Sequence, residues 1–325
     1  MAIVTADLLY LTQAGIKTEF NGAYIKEQAN PKWKEIATEI PTTLPIQKYA
    51  WLGRGAVMKL FKDEVEAQQA VEIDYSLADS VWKGNLQIQR SALEDDQYGL
   101  LMMRARGLAQ DPVRHWNQLA YLGLPLGFTT LCYDGQYMFS ASHQQNISPT
   151  QSNTVSSALS DAALEAAIAA MAAFVDDKGI PLEVAPDTLV VGPALWRRAH
   201  QLVGQNVRVT NVGDGTAGSG ATAATPQQNS FFTGIIKKLV MNPYLVNGTF
   251  NGVTYTAAYN WFVLDTSREI KPIVIQNRAD VPITLETDMD QPSAKIRELY
   301  NFTARGRYVQ GYGLWQLAYG SSATS

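Results

Sequence analysis

The only cysteine of the chain lies in a segment whose residue types could supply a nucleophile, an acid and a base. Residues 130–143 read TLCYDGQYMFSASH, in which Cys132 is followed by Asp134 and by His143, one of three histidines. A thiol activated by an imidazole is the arrangement of cysteine hydrolases. A single cysteine among apolar neighbours is more typical of a small buried side chain. Because Asp134-Gly135 is a common turn pair, the segment is most simply predicted to be a structural β-hairpin.

Three adjacent carboxylates, Glu94 to Asp96, are the next candidates for acid–base or metal chemistry. They have no obvious partner ligands, and acidic residues are favoured in the first turn of a helix. We therefore predict a long helix that starts near Asp96 and no metal site. Asp111-Pro112 has the pattern of an N-cap and first helical residue, which predicts either a second helix or a kinked continuation.

A glycine-rich segment at residues 204–230 contains Gly213, Gly215 and Gly218 in the spacing G-x-G-x-x-G. That spacing indicates dinucleotide binding only where it joins a strand to a helix. The residues that follow are Ser, Gly, Ala, Thr and Pro without helical periodicity, so a flexible loop is predicted. The sequence contains no G-x-S-x-G, H-E-x-x-H or C-x-x-C motif.

Composition narrows the class of protein. The chain has 325 residues, 46% of them hydrophobic, and a net charge of −4, which allows one large or two modest domains. The acidic balance argues against a dedicated nucleic-acid binder with a broad basic face. One cysteine excludes an intrachain disulfide framework. The first residues lack the basic start of a secretory signal, and no apolar run is long enough for a membrane span.

Two alternating runs predict a β-hairpin between residues 52 and 91. In residues 71–75 (VEIDY) and 82–88 (WKGNLQI), apolar and polar side chains alternate with the period of a strand. The apolar face would carry Val71, Ile73, Tyr75, Trp82, Leu86 and Ile88. A two-stranded ribbon is barely stable alone, so it should lean on this chain's own core or on another subunit.

The rest of the chain predicts helices and strands in separate stretches. Residues 1–48 contain prolines at 31, 41 and 45 and are predicted to be an extended arm. A helix capped by Ser160 or Asp161, a strand at 187–191 and a further helix after Gly192-Pro193 predict a mixed α/β region. Strands are predicted at 259–267, 271–278, 281–287 and, as one long strand, at 305–320.

Several segments resemble, in the same order, those of the phage Mu-like major head subunit family. These are Tyr49-Ala-Trp-Leu-Gly53, Ser91 to Gly99, Cys132-Tyr-Asp-Gly-Gln136, Leu264-Asp265-Thr-Ser267-Arg268, Lys271-Pro272 with Gln276, and Gly311-Tyr-Gly-Leu-Trp315-Gln316. The resemblance covers residues 49–143 and 260–318. It implies that the hairpin around Cys132 is part of a capsid subunit.

The resemblance implies an α+β fold of the Hong Kong 97-type. The expected parts are an N-terminal arm (1–48), an extended hairpin or E-loop (49–91), a peripheral domain with a long spine helix (92–149 and 259–325), and an axial domain (150–258) whose glycine-rich loop is 204–230. The implied function is that of a major capsid protein of a tailed phage or prophage. Such subunits form hexamers and pentamers of an icosahedral shell around double-stranded DNA and have no enzyme activity, cofactor or metal.

The implied partners are further copies of the same chain, a scaffolding protein, a portal, a decoration protein as a further candidate, and DNA bound without sequence specificity. No membrane is expected; assembly would occur in the host cytoplasm and the product would be the virion capsid. The residues predicted to mediate assembly are Trp51, Gly53, Val71, Ile73, Tyr75, Trp82, Leu86 and Ile88.

Three alternatives remain open from the sequence. An encapsulin-like nanocompartment would share the fold and hold cargo enzymes. A hydrolase that uses Cys132 and His143 predicts alkylation of Cys132 in the native protein and loss of activity in Cys132→Ala. A monomeric binding module predicts that deletion of residues 60–88 leaves the oligomeric state unchanged.

Overall fold

The computed structural model describes residues 6–49, 75–89, 91, 98–144, 149–176, 178–203, 207–210, 225–228, 230–250, 252–279, 283–286 and 298–323. The helices are α1 (Ala6–Gln28), α2 (Tyr98–Leu126), α3 (Asp161–Ala172), α4 (Trp196–Val203) and α5 (Ser230–Ile235). The strands are β1 (Ala37–Pro41), β2 (Ile46–Lys48), β3 (Ser76–Ala78), β4 (Ser80–Gln89), β5 (Thr154–Val155), β6 (Thr188–Val191), β7 (Val207–Thr210), β8 (Thr225–Gln228), β9 (Lys238–Met241), β10 (Asn247–Phe250), β11 (Val253–Thr256), β12 (Trp261–Leu264), β13 (Ile273–Ala279), β14 (Ile283–Glu286), β15 (Leu299–Tyr312) and β16 (Ala318–Ser321). Short 3-10 turns occupy Lys32–Glu35, Pro193–Leu195 and Trp315–Leu317.

The first sheet, sheet I, is organised around β15. Its order is β1-β13-β15-β14, and β4 pairs with β15 antiparallel, from Gln89 opposite Leu299 to Ser80 opposite Tyr308. The long helix α2 packs on this sheet, and α1 packs on α2. The core between them is rich in aromatic rings, such as Trp116, which contacts both Trp33 and Tyr308 edge-on.

The second sheet, sheet II, has the order β5-β16-β12-β6-β9. Its central strands β6 and β12 are buried at every residue, as their apolar sequences require. This sheet differs from the predicted division into 150–258 and 259–325, because β12 and β16 come from the second range and pair with β6 and β5 from the first. The predicted long strand at 305–320 is in fact two strands, β15 and β16, one in each sheet.

The N-terminal region is not the extended arm that the sequence predicted. Residues Ala6–Gln28 form a helix of 23 residues, in which Ile16 and Phe20 are fully buried in the common core. The exposed carboxylate of Glu19 pairs with Arg106 of α2 at 2.7 Å. Helix α1 is therefore held by contacts with α2 and is part of the folded subunit. Beyond it, β1 pairs parallel with β13, so this part of the predicted arm is extended but also belongs to sheet I.

Helix α2 is the predicted long helix, and it is continuous. It runs from Tyr98 to Leu126 with Pro112 in its interior, so Asp111-Pro112 is a continuation of one helix and not the start of a second one. Packing on both faces compensates for the backbone hydrogen bond that proline removes. Glu94 to Asp96 lie outside the described residues, and the prediction about their role is untested. None of the helices in the described ranges has the length and apolar character needed to cross a membrane.

Strand β4 pairs along its whole length with β15. Residues 71–74 lie outside the described part of the chain, so the predicted pairing of residues 71–75 with 82–88 stays a prediction. A separate antiparallel pair joins β2 to β3, with Ile46 opposite Ala78 and Lys48 opposite Ser76. This pair brings together Tyr49 and Tyr75, the described residues on either side of residues 50–74, and β4 belongs to sheet I.

Two further local predictions are confirmed, and one is refined. Helix α3 begins at the predicted cap, where Ser160 Oγ accepts from the N–H of Ala163 at 3.2 Å. The strand at 188–191 and the helix after Gly192-Pro193 are present as β6 and α4. The ends of the glycine-rich segment are more ordered than predicted, because β7 and β8 pair antiparallel.

Candidate functional site

The hairpin that contains the only cysteine is a tight turn with a single β-bridge, between Leu131 and Tyr137. The N–H of Cys132 donates to the carbonyl of Gln136 at 2.6 Å, and Asp134 Oδ1 accepts from the N–H of Gln136 at 3.1 Å. Gly135 has a φ of +79°, a backbone conformation that favours glycine. The predicted turn pair Asp134-Gly135 is thus confirmed, and it positions the carboxylate of Asp134 towards the interior.

Asp134 and His143 form a buried pair. His143 Nδ1 lies 2.5 Å from Asp134 Oδ2, and the two side chains are 0% and 2% exposed. The imidazole ring stacks on the indole of Trp315 with 4.1 Å between ring centroids and 5° between planes. His143 is therefore enclosed on one face by an aromatic ring and at its Nδ1 edge by a carboxylate, which leaves it no access to a substrate.

Asn153 completes the network. Its Nδ2 faces the carbonyl oxygens of Met138, Trp315 and Ala318 at 2.8, 3.3 and 3.2 Å, which fixes the orientation of the amide. Its Oδ1 consequently accepts from the N–H of Ser140 at 2.9 Å and lies 3.2 Å from His143 Nε2. Both ring nitrogens of His143 thus face oxygen atoms, Nδ1 a carboxylate oxygen and Nε2 an amide oxygen.

Cys132 is not placed to act as a nucleophile. The thiol is buried and its Sγ lies 3.7 Å from the carbonyl oxygen of Gly313, to which it can donate. Burial raises the pKa of Cys132 far above that of a free thiol, and the nearby carboxylate of Asp134 raises it further. A hydrolase needs an accessible thiolate beside a free base. The hydrolase interpretation of Cys132 and His143 therefore does not fit this geometry.

The segment from Gly311 to Gln316 is the point on which these contacts converge. Trp315 stacks on His143, the carbonyl of Gly313 faces the thiol of Cys132, and Gln316 Oε1 accepts from the hydroxyl of Tyr133 at 3.0 Å. Gly313 has no room for a side chain, because a Cβ would lie 2.7 Å from the carbonyl oxygen of Lys271. Cys132 and His143, the candidate catalytic residues, thus attach the hairpin to the segment that connects β15 of sheet I with β16 of sheet II.

A second buried carboxylate, Asp265, gives the Leu264-Asp-Thr-Ser-Arg268 segment a structural role. Its side chain is 1% exposed, and its oxygens accept from the N–H groups of Ala185 and Ser267 at 3.1 Å each. Arg268 pairs with Asp265 at 3.4 Å and also donates to the carbonyl of Leu182 at 2.5 Å. The Leu-Asp-x-Ser-Arg segment therefore holds the loop before β6 against the end of β12.

The second feature of interest is the place where the segments before and after residues 50–74 meet, and we call it the neck. It consists of β2, β3, Tyr49, Tyr75 and Asp79. The N–H of Tyr49 donates to the carbonyl of Tyr75 at 2.8 Å, which closes the neck. Both rings are anchored in the subunit, because Tyr49 Oη donates to Gln276 Oε1 at 2.8 Å and Tyr75 Oη accepts from the N–H of Tyr312 at 3.1 Å.

Two further contacts hold the neck against sheet I. Leu77 of β3 packs directly over Gly311, where any side chain would overlap it. Asp79, between β3 and β4, is 4% exposed and pairs with two arginines: its Oδ2 lies 2.7 Å from Arg307 Nε and 3.3 Å from Arg278 Nη1. Burial acts to raise the pKa of Asp79, but the two guanidinium groups outweigh it and the net pKa is lowered.

The predicted assembly residues fall into two groups. Trp51, Gly53, Val71 and Ile73 lie outside the described residues and remain predictions. Tyr75, Trp82, Leu86 and Ile88 are described, and all four pack against this chain's own core. Trp82, for example, was predicted to contact another subunit but contacts its own chain. Its Nε1 donates to the carbonyl of Tyr308 at 3.0 Å, and the centroid of its ring lies 4.3 Å from that of His115.

Sequence reasoning did not identify Asp79, Arg278 or Arg307. The only local signal is a carboxylate between two strands, and its partners are about 200 residues away in the chain. In the part of the chain that the structure describes, no group of three or more His, Cys, Asp or Glu side chains is placed to hold a metal ion.

The chain resembles phage head proteins along most of its length. It matches the family described as Mu-like prophage major head subunit gpT over residues 9–162, 151–222 and 241–324. It is 24% identical over 320 residues to the Mu-like prophage FluMu major head subunit of Haemophilus influenzae, a match that covers 98% of this chain and 74% of that protein. It is 21% identical over 316 residues to the major capsid protein of Escherichia phage Mu, with 97% and 74% covered.

Solved structures of phage capsids share the fold. A chain of the procapsid of bacteriophage JBD30 superposes with a TM-score of 0.53 at 21% identity, covering 98% of this chain and 76% of that one. A chain of Microbacterium phage Oxtober96 has a TM-score of 0.50 at 12% identity, with 90% and 91% covered. The predicted α+β capsid fold is thus confirmed. Since the family match extends along nearly the whole sequence, the chain belongs to the Mu-like prophage major head subunit family, the major capsid proteins that form the shell of the virion.

Proposed function

We propose that this head subunit assembles through head-to-tail contacts into hexamers and pentamers, which tile an icosahedral shell around the double-stranded DNA of a tailed phage or prophage. Heterologous contacts of this kind close into rings, as capsomers require. Assembly takes place in the host cytoplasm, with a scaffolding protein and a portal as partners and a decoration protein as a further candidate. Contacts with DNA are non-specific and made to phosphate.

The observation that carries this proposal is the neck. Tyr49 and Tyr75, which flank residues 50–74 in the chain, are joined by a backbone hydrogen bond of 2.8 Å. Residues 50–74 contain Trp51, Leu52, Val71 and Ile73. The strands that the structure describes in sheet I, β1, β4, β13, β14 and β15, come from other parts of the chain. We infer that residues 50–74 are the assembly segment and that they contact a neighbouring subunit.

The structure indicates which residues should be removed in a test of this proposal. Removing residues 60–88 would also remove β3 and most of β4, and β4 is a core strand paired with β15. Replacing only residues 50–74 with Asn-Gly leaves Tyr49 and Tyr75 joined by a two-residue turn of the kind that hairpins favour. The variant should therefore keep the subunit fold and lose only the assembly segment.

The experiment compares the wild-type chain with this replacement by size-exclusion chromatography and negative-stain electron microscopy. We expect shells, tubes or ring-shaped capsomers from the wild type and a monomer from the replacement. The circular dichroism spectrum of the replacement should show a folded protein. A replacement that assembles as well as the wild type, or a wild-type chain that stays monomeric even when co-expressed with neighbouring phage genes, would contradict the proposal.

A further inference from the structure

The ribbon of β2 and β3 at the neck is too short to keep a fixed orientation without support from the rest of the subunit. Each strand has three residues, and an isolated two-stranded ribbon even longer than this is marginal in water. Its orientation must therefore be imposed by contacts with sheet I. These contacts are the packing of Leu77 on Gly311, the tyrosine contacts, a hydrogen bond from Gln276 Nε2 to the carbonyl of Leu77 at 3.4 Å, and the ion pairs of Asp79.

Asp79 stands where the chain passes from this ribbon into sheet I. Its N–H donates to the carbonyl of Pro45 at 3.0 Å, next to β2. Its carboxylate accepts one hydrogen bond from Nη2 of Arg307 of β15 at 3.2 Å and one from Nη1 of Arg278 of β13 at 3.3 Å. Arg307 Nε lies 2.7 Å from Asp79 Oδ2 and adds electrostatic attraction, without the geometry of a hydrogen bond. One residue thus joins β2 through its backbone and two neighbouring strands of sheet I through its side chain.

The contact between Asp79 and the two arginines is suited to fixing the orientation of the ribbon relative to sheet I. The carboxylate accepts one hydrogen bond from each of two arginines that lie on neighbouring strands, and two donors at different positions restrict its direction as well as its distance. The carboxylate is 4% exposed, whereas Arg278 and Arg307 are 23% and 27% exposed, so the arginines remain partly hydrated if the contact is lost. Loss of the contact should therefore loosen the ribbon more than it unfolds the subunit.

We propose that Asp79, with Arg278 and Arg307, is a positioning residue, because it fixes the orientation on sheet I of the β2–β3 ribbon, whose strands precede and follow residues 50–74 in the chain. The inference rests on the proposed function, in which those residues contact a neighbouring copy. It predicts that removal of the charge alters the geometry of assembly while the fold of the subunit is retained.

The test uses Asp79→Asn, which keeps the size of the side chain and removes its charge. The first readout is hydrogen–deuterium exchange of the unassembled subunit. We expect exchange of the amides at 46–48 and 76–78 to become about tenfold faster or more, because a hydrogen-bonded charge is lost. Exchange in α2 and in the β6–β12 pair should be unchanged. The control is Glu19→Gln, which removes one carboxylate from the exposed pair with Arg106 and should leave the neck unchanged.

The second readout is the yield and diameter of the assembled particles by electron microscopy. Asp79→Asn should give at least about fivefold fewer closed shells, with a broader range of diameters, since small changes in subunit contacts decide closure. Asp79→Glu, which keeps the charge, should restore part of the yield. Should Asp79→Asn fail to fold, Arg307→Lys keeps the charge but removes the guanidinium Nη2 that donates to Asp79 Oδ1, and the same two readouts apply to it.

The outcomes separate this inference from the proposed function. Unchanged exchange at the neck, or exchange that rises equally throughout the chain, would overturn the positioning role. Faster exchange confined to the neck with unaltered shells would also overturn it. If the wild-type chain forms no shell, the proposed function fails, and the exchange measurement still decides whether Asp79 holds the neck.

Discussion

Replacing His143 with alanine is expected to destabilise the subunit strongly, although the residue has no catalytic role. The substitution leaves the carboxylate of Asp134 buried without the imidazole that lies 2.5 Å away. It also removes the ring that stacks on Trp315 and the partner of Asn153 Oδ1. The substitution therefore removes three separate contacts of the His143 side chain.

The magnitude follows from the burial of the pair. Removing one partner of a buried ion pair costs about 3–5 kcal/mol, because the remaining charge is left uncompensated. The lost ring contact falls within the same range and does not simply add to it. We therefore expect the free energy of unfolding to fall by about 3–5 kcal/mol in His143→Ala.

The assay is urea unfolding of the unassembled subunit, followed by tryptophan fluorescence. His200→Ala is the matched control, because it removes the same ring from an exposed position on α4 and should change the midpoint little. In the double variant with Asp134→Ala, the loss should be smaller than the sum of the two single losses, because the unpaired charge is gone. A loss below about 1 kcal/mol in His143→Ala, the size typical of a surface pair, would refute the reasoning.

Three further predictions follow from the core and the neck. Cys132 should resist iodoacetamide in the native protein and react after unfolding, because burial raises its pKa; mass spectrometry of a native protein that is fully alkylated would disprove this. Gly311→Ala should lower the free energy of unfolding by about 1–3 kcal/mol through overlap with Leu77, and adding Leu77→Ala should recover part of the loss in urea unfolding. Burial lowers the pKa of His115 in the folded protein. As the pH falls, the imidazole therefore takes up a proton near pH 6.5 in the unfolded chain and only at a lower pH in the folded chain. Stability should therefore fall between pH 7.5 and 5.5 by more in the wild type than in His115→Gln, and equal falls in thermal unfolding would contradict this assignment.

The sequence was sufficient for elements whose signals are local. The helix after Ser160, the strand at 188–191 and the turn at Asp134-Gly135 each have a cap, a period or a turn pair within a few residues. Among the segments that carried the family resemblance, those around Cys132, Asp265 and Trp315 are buried in the part of the chain that the structure describes. Gly311 and Gly313 are required by close approach, which explains why such short segments are recognisable.

Helix α1 was missed because the prolines that follow it suggested an extended arm. Its signal was present, since Ile16, Phe20, Ala23 and Tyr24 have the spacing i, i+4, i+7 and i+8 of a buried helix face. Its stability comes from packing on α2, which no local pattern reports.

The pairing of β4 with β15 was missed for a different reason. The alternation of Trp82, Leu86 and Ile88 was correctly assigned to a strand, but alternation does not identify the partner strand. That partner lies more than 200 residues later in the chain. The contacts of Asp79 with Arg278 and Arg307 are hidden for the same reason, because they exist only once β3, β13 and β15 are brought together.

The measurement that tests the central claim most directly is a cryo-electron microscopy reconstruction of the particles that the wild-type chain forms. The proposed function predicts a closed shell in which residues 50–74 leave each subunit at the hydrogen bond between Tyr49 and Tyr75 and lie on an adjacent subunit. A shell in which those residues fold back onto their own subunit and make no contact with a neighbour would contradict it.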